Sequence, residues 1–175
     1  MGKDLISIYK NKRCYAGVAT GWAIPATPTD MVVLTGVANK TIRIIGIIVE
    51  GTQTTAGINK FFLIKRSTVD TTGTFVADTA VPHDSKDLAS LASFGHYTAN
   101  PGALGTAVGN VRVANLLNPA PASVVPSDKI IWLFDSINAE ELVLRSATEQ
   151  LALNFNGAAL PAGLTLNVTF IWIEE

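Results

Sequence analysis

Cysteine occurs once in the 175-residue chain, at Cys14, and histidine twice, at His83 and His96. A single cysteine excludes an intrachain disulfide and any multi-cysteine zinc site. Two histidines leave little material for a hydrolase built on nucleophile, base and orienting group. Charge is scarce as well. Charged residues make up 15% of the chain, against roughly 25% in an ordinary soluble domain. The net charge of −1 gives no global pull toward nucleic acid or anionic lipid, so neither is expected as a partner. Long apolar runs are missing: Ile44–Val49 and Ile130–Phe134 are strand-length, far short of the roughly 20 residues of a spanning helix. The first nine residues hold no apolar stretch of the signal-peptide kind, and Ile6 stands where a myristoylation pattern needs a hydroxyl. Synthesis and assembly in the cytoplasm are therefore expected.

What the chain does have is apolar surface. Hydrophobic residues reach 48% and the mean hydropathy is +0.33. Monomers seldom expose large apolar patches, so this composition points to surface covered by other subunits.

The local pattern is strand, turn, strand. Leu151, Leu153 and Phe155 alternate with Gln150, Ala152, Asn154 and Asn156, and Leu164 through Trp172 alternate with Thr165 through Ile173. A period of two puts one set on a core face and the other outward. Ile171 and Ile173 fall in the outward set, so a partner is expected over that end. Met31–Val37 and Thr41–Glu50 read as a hairpin through Asn39-Lys40. Ser67–Ser85 reads as a long loop, and Lys86–Phe94 as strand or irregular structure rather than helix. Eight or nine short strands with Pro/Gly loops predict an all-β domain, a β-sandwich of the jelly-roll kind over residues 16–175, with an immunoglobulin-like sandwich as the alternative. Residues 1–15 carry Lys3, Lys10, Lys12 and Arg13 against Asp4 alone, and are read as an extended N-terminal arm.

Chemistry-bearing constellations fail on inspection. His83-Asp84-Ser85 are adjacent in a loop, where neighbouring side chains diverge, so a polar turn capped by Asp84 or Ser85 is expected. Asp70, Asp78, Asp84 and Asp87 lack EF-hand spacing. Glu140 and Glu141 would point to opposite sides of a strand, unlike a glycosidase pair. No glycine-rich phosphate loop occurs. No enzyme, metal or cofactor is expected. Trp132 and Trp172 are placed in strand cores, while Trp22 is expected at an interface, where tryptophan is enriched. His96 is read as a strand-surface or interface residue. The expected interface residues are thus Lys10, Lys12, Arg13, Trp22, Ile171 and Ile173.

Several phrases resemble a recurrent family of small tailed-phage and prophage proteins. They are Thr52–Gly57, Lys65–Thr68, Ala80–Ser85, Tyr97–Pro101, Glu141–Arg145, Leu151–Gly157 and Trp172–Glu175. The resemblance spans roughly residues 23–175 and carries no functional residues over. It implies a virion structural protein, foremost a capsid decoration or cement protein on the head surface. Its expected partners are the major capsid protein and copies of itself, as a homotrimer. A tail or neck component, or a carbohydrate-binding host-attachment module, are the alternatives.

Overall fold

The computed structural model describes residues 12–120, 128–134 and 141–175. These residues form strands and turns, with no helix among them. Twelve strands are present: β1 (Arg13–Ala23), β2 (Asp30–Thr35), β3 (Ile42–Thr52), β4 (Gly57–Arg66), β5 (Thr74–Ala77), β6 (Ala80–Pro82), β7 (Ser93–Ala99), β8 (Ala107–Asn118), β9 (Lys129–Leu133), β10 (Val143–Leu144), β11 (Gln150–Asn154) and β12 (Thr165–Glu174).

They make two antiparallel sheets, a β-sandwich. The first runs β10-β3-β12-β1-β6, with β9 also pairing β3, and the second runs β5-β7-β2-β11-β4-β8. The pairings are nested. β1 pairs with β12, β2 with β11, β3 with β9 and β10, and β4 with β8. The chain therefore behaves as one long hairpin whose successive strand pairs fall alternately into the two layers. Further pairings, β12 with β3 and β11 with β4, join the layers' halves into continuous sheets.

Period-two alternation builds the core as expected. Leu166, Val168, Phe170 and Trp172 of β12 face inward and are fully buried, as are Leu151, Leu153 and Phe155 on and beside β11. The same core holds Ile44, Ile47, Phe61, Leu63 and Leu116. Phe94 sits 5.5 Å from Phe170 and 5.9 Å from Trp172, ring centre to ring centre. Burying side chains of this size removes on the order of 1.5–3 kcal/mol of unfavourable hydration each.

Three expectations are corrected. Met31–Val37 and Thr41–Glu50 do not form a hairpin. Asn39 does turn the chain, at φ 61°, but both edges of β2 are occupied by β7 and β11. The chain must therefore leave for the other sheet before β3 begins. Ser67–Ser85 is not one loop, since β5 adds to β7 and β6 adds to β1. Nor does the arm extend to residue 15. Arg13, Cys14 and Tyr15 pair with Glu174, Ile173 and Trp172 as the first residues of β1, and Tyr15 is buried in the core. Residues 1–11 of the expected arm lie outside the described residues.

Candidate functional site

The two ends of the described chain meet. Lys12 and Arg43 both pair with Glu175, Arg43 through Nε and Nη2 at 3.1 Å each. Arg43 also pairs with Glu141, and Arg13 reaches Asp87 at 3.7 Å. Lys12 and Arg13, expected to reach a neighbouring subunit, thus have acidic partners in their own chain. A cleft of about 440 Å³ opens beside them, bordered by Lys40, Leu88 and Leu91. Lys10 lies outside the described residues.

Trp22 is not an exposed anchor. It is 7% exposed, belongs to the core cluster, and its ring lies 4.6 Å from that of His96. His96 is likewise buried, against the expectation of a surface residue, and its Nδ1 meets Asp78 Oδ2 at 2.7 Å. Ile173 is 5% exposed. It stands between Cys14 on β1 and Arg43 on β3, so its own chain already covers it. Ile171 is half-buried. β12 keeps its register with β1 through Glu174, so Ile173 still falls in the outward set, and it is cross-strand neighbours of the same chain, not another subunit, that cover it.

The remaining chemical candidates are dispersed. Asp84 Oδ1 accepts the Lys86 amide at 2.9 Å, the turn-capping role expected of it. Asp78 is engaged by His96 and Asp87 by Arg13. Glu149 pairs with Lys65, and Glu140 lies outside the described residues. No group of three or more His, Cys, Asp or Glu suited to a metal ion occurs among the described residues. Burial pushes the Cys14 thiol above its ordinary value, which suppresses the reactive thiolate.

Two features occupy places that the sequence did not indicate. The first is a buried polar cluster on the face of the second sheet turned away from the core. Asp30 and Arg66 form a bidentate pair, with Arg66 Nη2 donating to Asp30 Oδ1 at 2.9 Å. Asn154 also donates to Asp30, and Arg66 Nη1 donates to the Gly105 carbonyl at 2.6 Å. Asp70 Oδ1 lies 3.6 Å from Arg66 Nε and accepts the Gly105 amide at 2.8 Å. The Asp70 amide donates to Gln150 Oε1 at 3.2 Å. Burial, and then the charge of Asp30, push the Asp70 carboxyl up to about 7. Burial with the charges of Asp70 and Asp30 pushes the Tyr97 phenol up to about 12. Asp30 and Asn154 lie far apart in the sequence, and no short motif links them to Arg66 and Asp70.

The second is where exposed apolar surface falls, on the outer faces of the two sheets at the strands β4, β8 and β9. Ile58 of β4 is paired with Leu117 of β8, and Phe62 with Val113. Ile58 is 70% exposed, and Val113 and Leu117 are exposed beside it. On β9, in the other sheet, Leu133 is 71% exposed and Ile131 is exposed too. With Trp132 placed in the core, period-two alternation leaves Ile131 and Leu133 outward, as the structure has them.

No family model, curated protein or solved structure matches the chain.

Proposed function

We propose that this chain is a virion structural protein of a tailed phage, a decoration or cement protein that binds the major capsid protein and copies of itself on the head shell. The observation that carries the reading is the apolar surface left exposed on the outer faces of both sheets, Ile58, Val113 and Leu117 on one and Ile131 and Leu133 on the other. Such surface on a chain with 15% charged residues favours association, because water is released when a partner covers it. A stable contact of standard size buries about 1,600 Å² in all, and repetition over a shell multiplies the effect of each contact. The nested pairing supports the reading from the side of architecture. Outer strands pair with outer and inner with inner, in two layers, and we read this winding as that of a jelly roll, a fold used by viral capsid domains. The resemblance of the loop phrases to phage proteins points the same way. Against a carbohydrate-binding module stands the burial of Trp22, Trp132 and Trp172, which leaves none of the three as a stacking platform.

Immunogold labelling of particles from the source strain, with antibody to the purified chain, tests this. Label over the head is the expected result. Label over the tail would transfer the protein to tail or neck, and particles free of label would overturn a virion role. Ile58→Lys with Leu133→Lys should leave the fold intact, since both side chains are exposed, while abolishing attachment to heads.

A further inference from the structure

The Asp30–Arg66–Asp70 cluster holds two buried carboxyl groups and one cation. Asp30 is 0% exposed, and the side chain of Asp70 is equally enclosed. Both oxygens of Asp30 are supplied with donors, by Arg66 and Asn154. Asp70 Oδ1 has the Gly105 amide, but its Oδ2 is buried with no donor. A buried carboxylate oxygen without a donor is costly, and such groups in folded proteins find a partner or change protonation. Both carboxyl groups crowd the same Arg66 Nε, Asp70 Oδ1 at 3.6 Å from it. Two ionised carboxylates around one cation repel each other, and a proton on Asp70 relieves both that repulsion and the unpartnered Oδ2.

We infer that Asp70 holds a proton beside Asp30, and that this proton locks the 67–73 segment and Gly105 onto the outer face of the second sheet. The groups around it come from every adjoining element. They are Asp30 on β2, Arg66 on β4, Tyr97 on β7, Gln150 and Asn154 on β11, and the Gly105 peptide. Arg66 is the only cation among them, so losing the proton leaves an unbalanced negative charge in an enclosed space. The segment held by Asp70 also forms one wall of a cleft of about 450 Å³, with Thr72, Phe75 and Tyr97 around it. The lock therefore controls the shape of that surface, holding it tightly in acid and more loosely at neutral pH and above.

The sign follows from linkage. The closed form keeps its proton to a higher pH than the open form, so opening becomes easier with rising pH by up to tenfold per unit, until the closed form also loses its proton. Amide hydrogen exchange of Asp70 and Gly105, corrected for intrinsic rates, should show protection falling by up to about 100-fold between pH 5 and 7. The Asp70→Asn protein keeps a donor toward Asp30 but cannot titrate, and its protection should be flat over the same range. The ¹³C carboxyl resonance of Asp70 in the wild-type protein should titrate near the value of about 7. A midpoint in the ordinary carboxylate range near 4 would overturn the proposal. So would identical pH profiles in the two proteins. If the variant does not fold, the wild-type carboxyl titration decides alone.

Discussion

Tyr15 stacks on Trp172 with ring centroids 6.1 Å apart and planes inclined by 26°, which ties the first described strand to the last inside the core. The Tyr15 hydroxyl then donates to the Leu88 carbonyl at 2.9 Å, crossing to the segment that precedes β7. One side chain thus joins three parts of the chain that are remote in sequence. Deleting residues 1–11 should leave thermal stability almost unchanged, because β1 remains whole. Deleting residues 1–15 should unfold the domain, since it removes Tyr15 and three paired positions of β1. Tyr15→Ala alone should cost about 3–5 kcal/mol, in the range of large aromatic truncations in cores. Urea unfolding monitored by tryptophan fluorescence distinguishes these outcomes.

Gly17 explains how β1 and β7 approach so closely across the sandwich. A Cβ on Gly17 would lie 2.4 Å from Cδ1 of Phe94, and the Phe94 ring is itself held against Phe170 and Trp172. The ring has no free direction in which to give way. Gly17→Ala should therefore destabilise by about 1–3 kcal/mol through overpacking. Gly109 on β8 is the control, because nothing lies within 4 Å of its Cβ position. Gly109→Ala should be neutral or slightly stabilising, since it restricts the unfolded chain. Denaturant midpoints of the two variants should move apart.

The fold was legible where one physical rule acted alone. Strand β12 alternates as read, and Trp132 and Trp172 lie in the core where alternation puts them; on β11 the set read as outward, Gln150, Ala152 and Asn154, is buried as well, under the 67–73 segment and Gly105. It was not legible where pairing depends on what else is available. The turn at Asn39 is real, yet β2 and β3 separate because β7 and β11 occupy both edges of β2. Strands β5 and β6, with four and three residues, are too short to show a period. Of the interface expectations, Lys12, Arg13 and Trp22 find partners inside the chain. Charge and size alone do not tell an internal partner from an external one. The Asp30–Arg66–Asp70 cluster joins β2, β4 and the loop after it, a proximity created only by the nested topology.

Glu174 anchors the 88–92 segment to the end of β12. Its carboxylate accepts from the Leu91 amide at 3.2 and 3.1 Å, from the Ala92 amide at 3.2 Å, from Ser90 Oγ at 2.5 Å and from Trp172 Nε1 at 3.2 Å. Hydrogen bonds to a charged acceptor are the stronger kind, and their donors sit in a part-buried place. Glu174→Ala should cost about 2–4 kcal/mol, given several donors left without an acceptor. The loss should be local before it is global. Hydrogen exchange should show the Leu91 and Ala92 amides losing protection while those of β12 facing β3 keep theirs.

Acid should act at Glu175. The Arg43 guanidinium, with Lys12 beside it, holds the Glu175 carboxyl below its ordinary value of 4.5 despite partial burial. A carboxyl depressed in the folded state contributes stability that is present above its unfolded value and is lost as pH falls through the folded one. The contribution should therefore be whole at pH 6, begin to fade near pH 4.5 and be gone in stronger acid. The side chain is 23% exposed, so solvent and salt screen part of the attraction. Glu175→Gln keeps the size of the side chain and removes the charge. At pH 6 the wild-type protein should unfold at higher urea concentration than the variant, and the two midpoints should draw together as the pH falls below 4.5. Raising the salt to 1 M at pH 6 should narrow the same gap, because a Debye length of about 3 Å weakens the part-exposed pairs. A gap that persists unchanged at pH 3 would show that packing of the side chain, and not its charge, secures the end of β12 to Arg43.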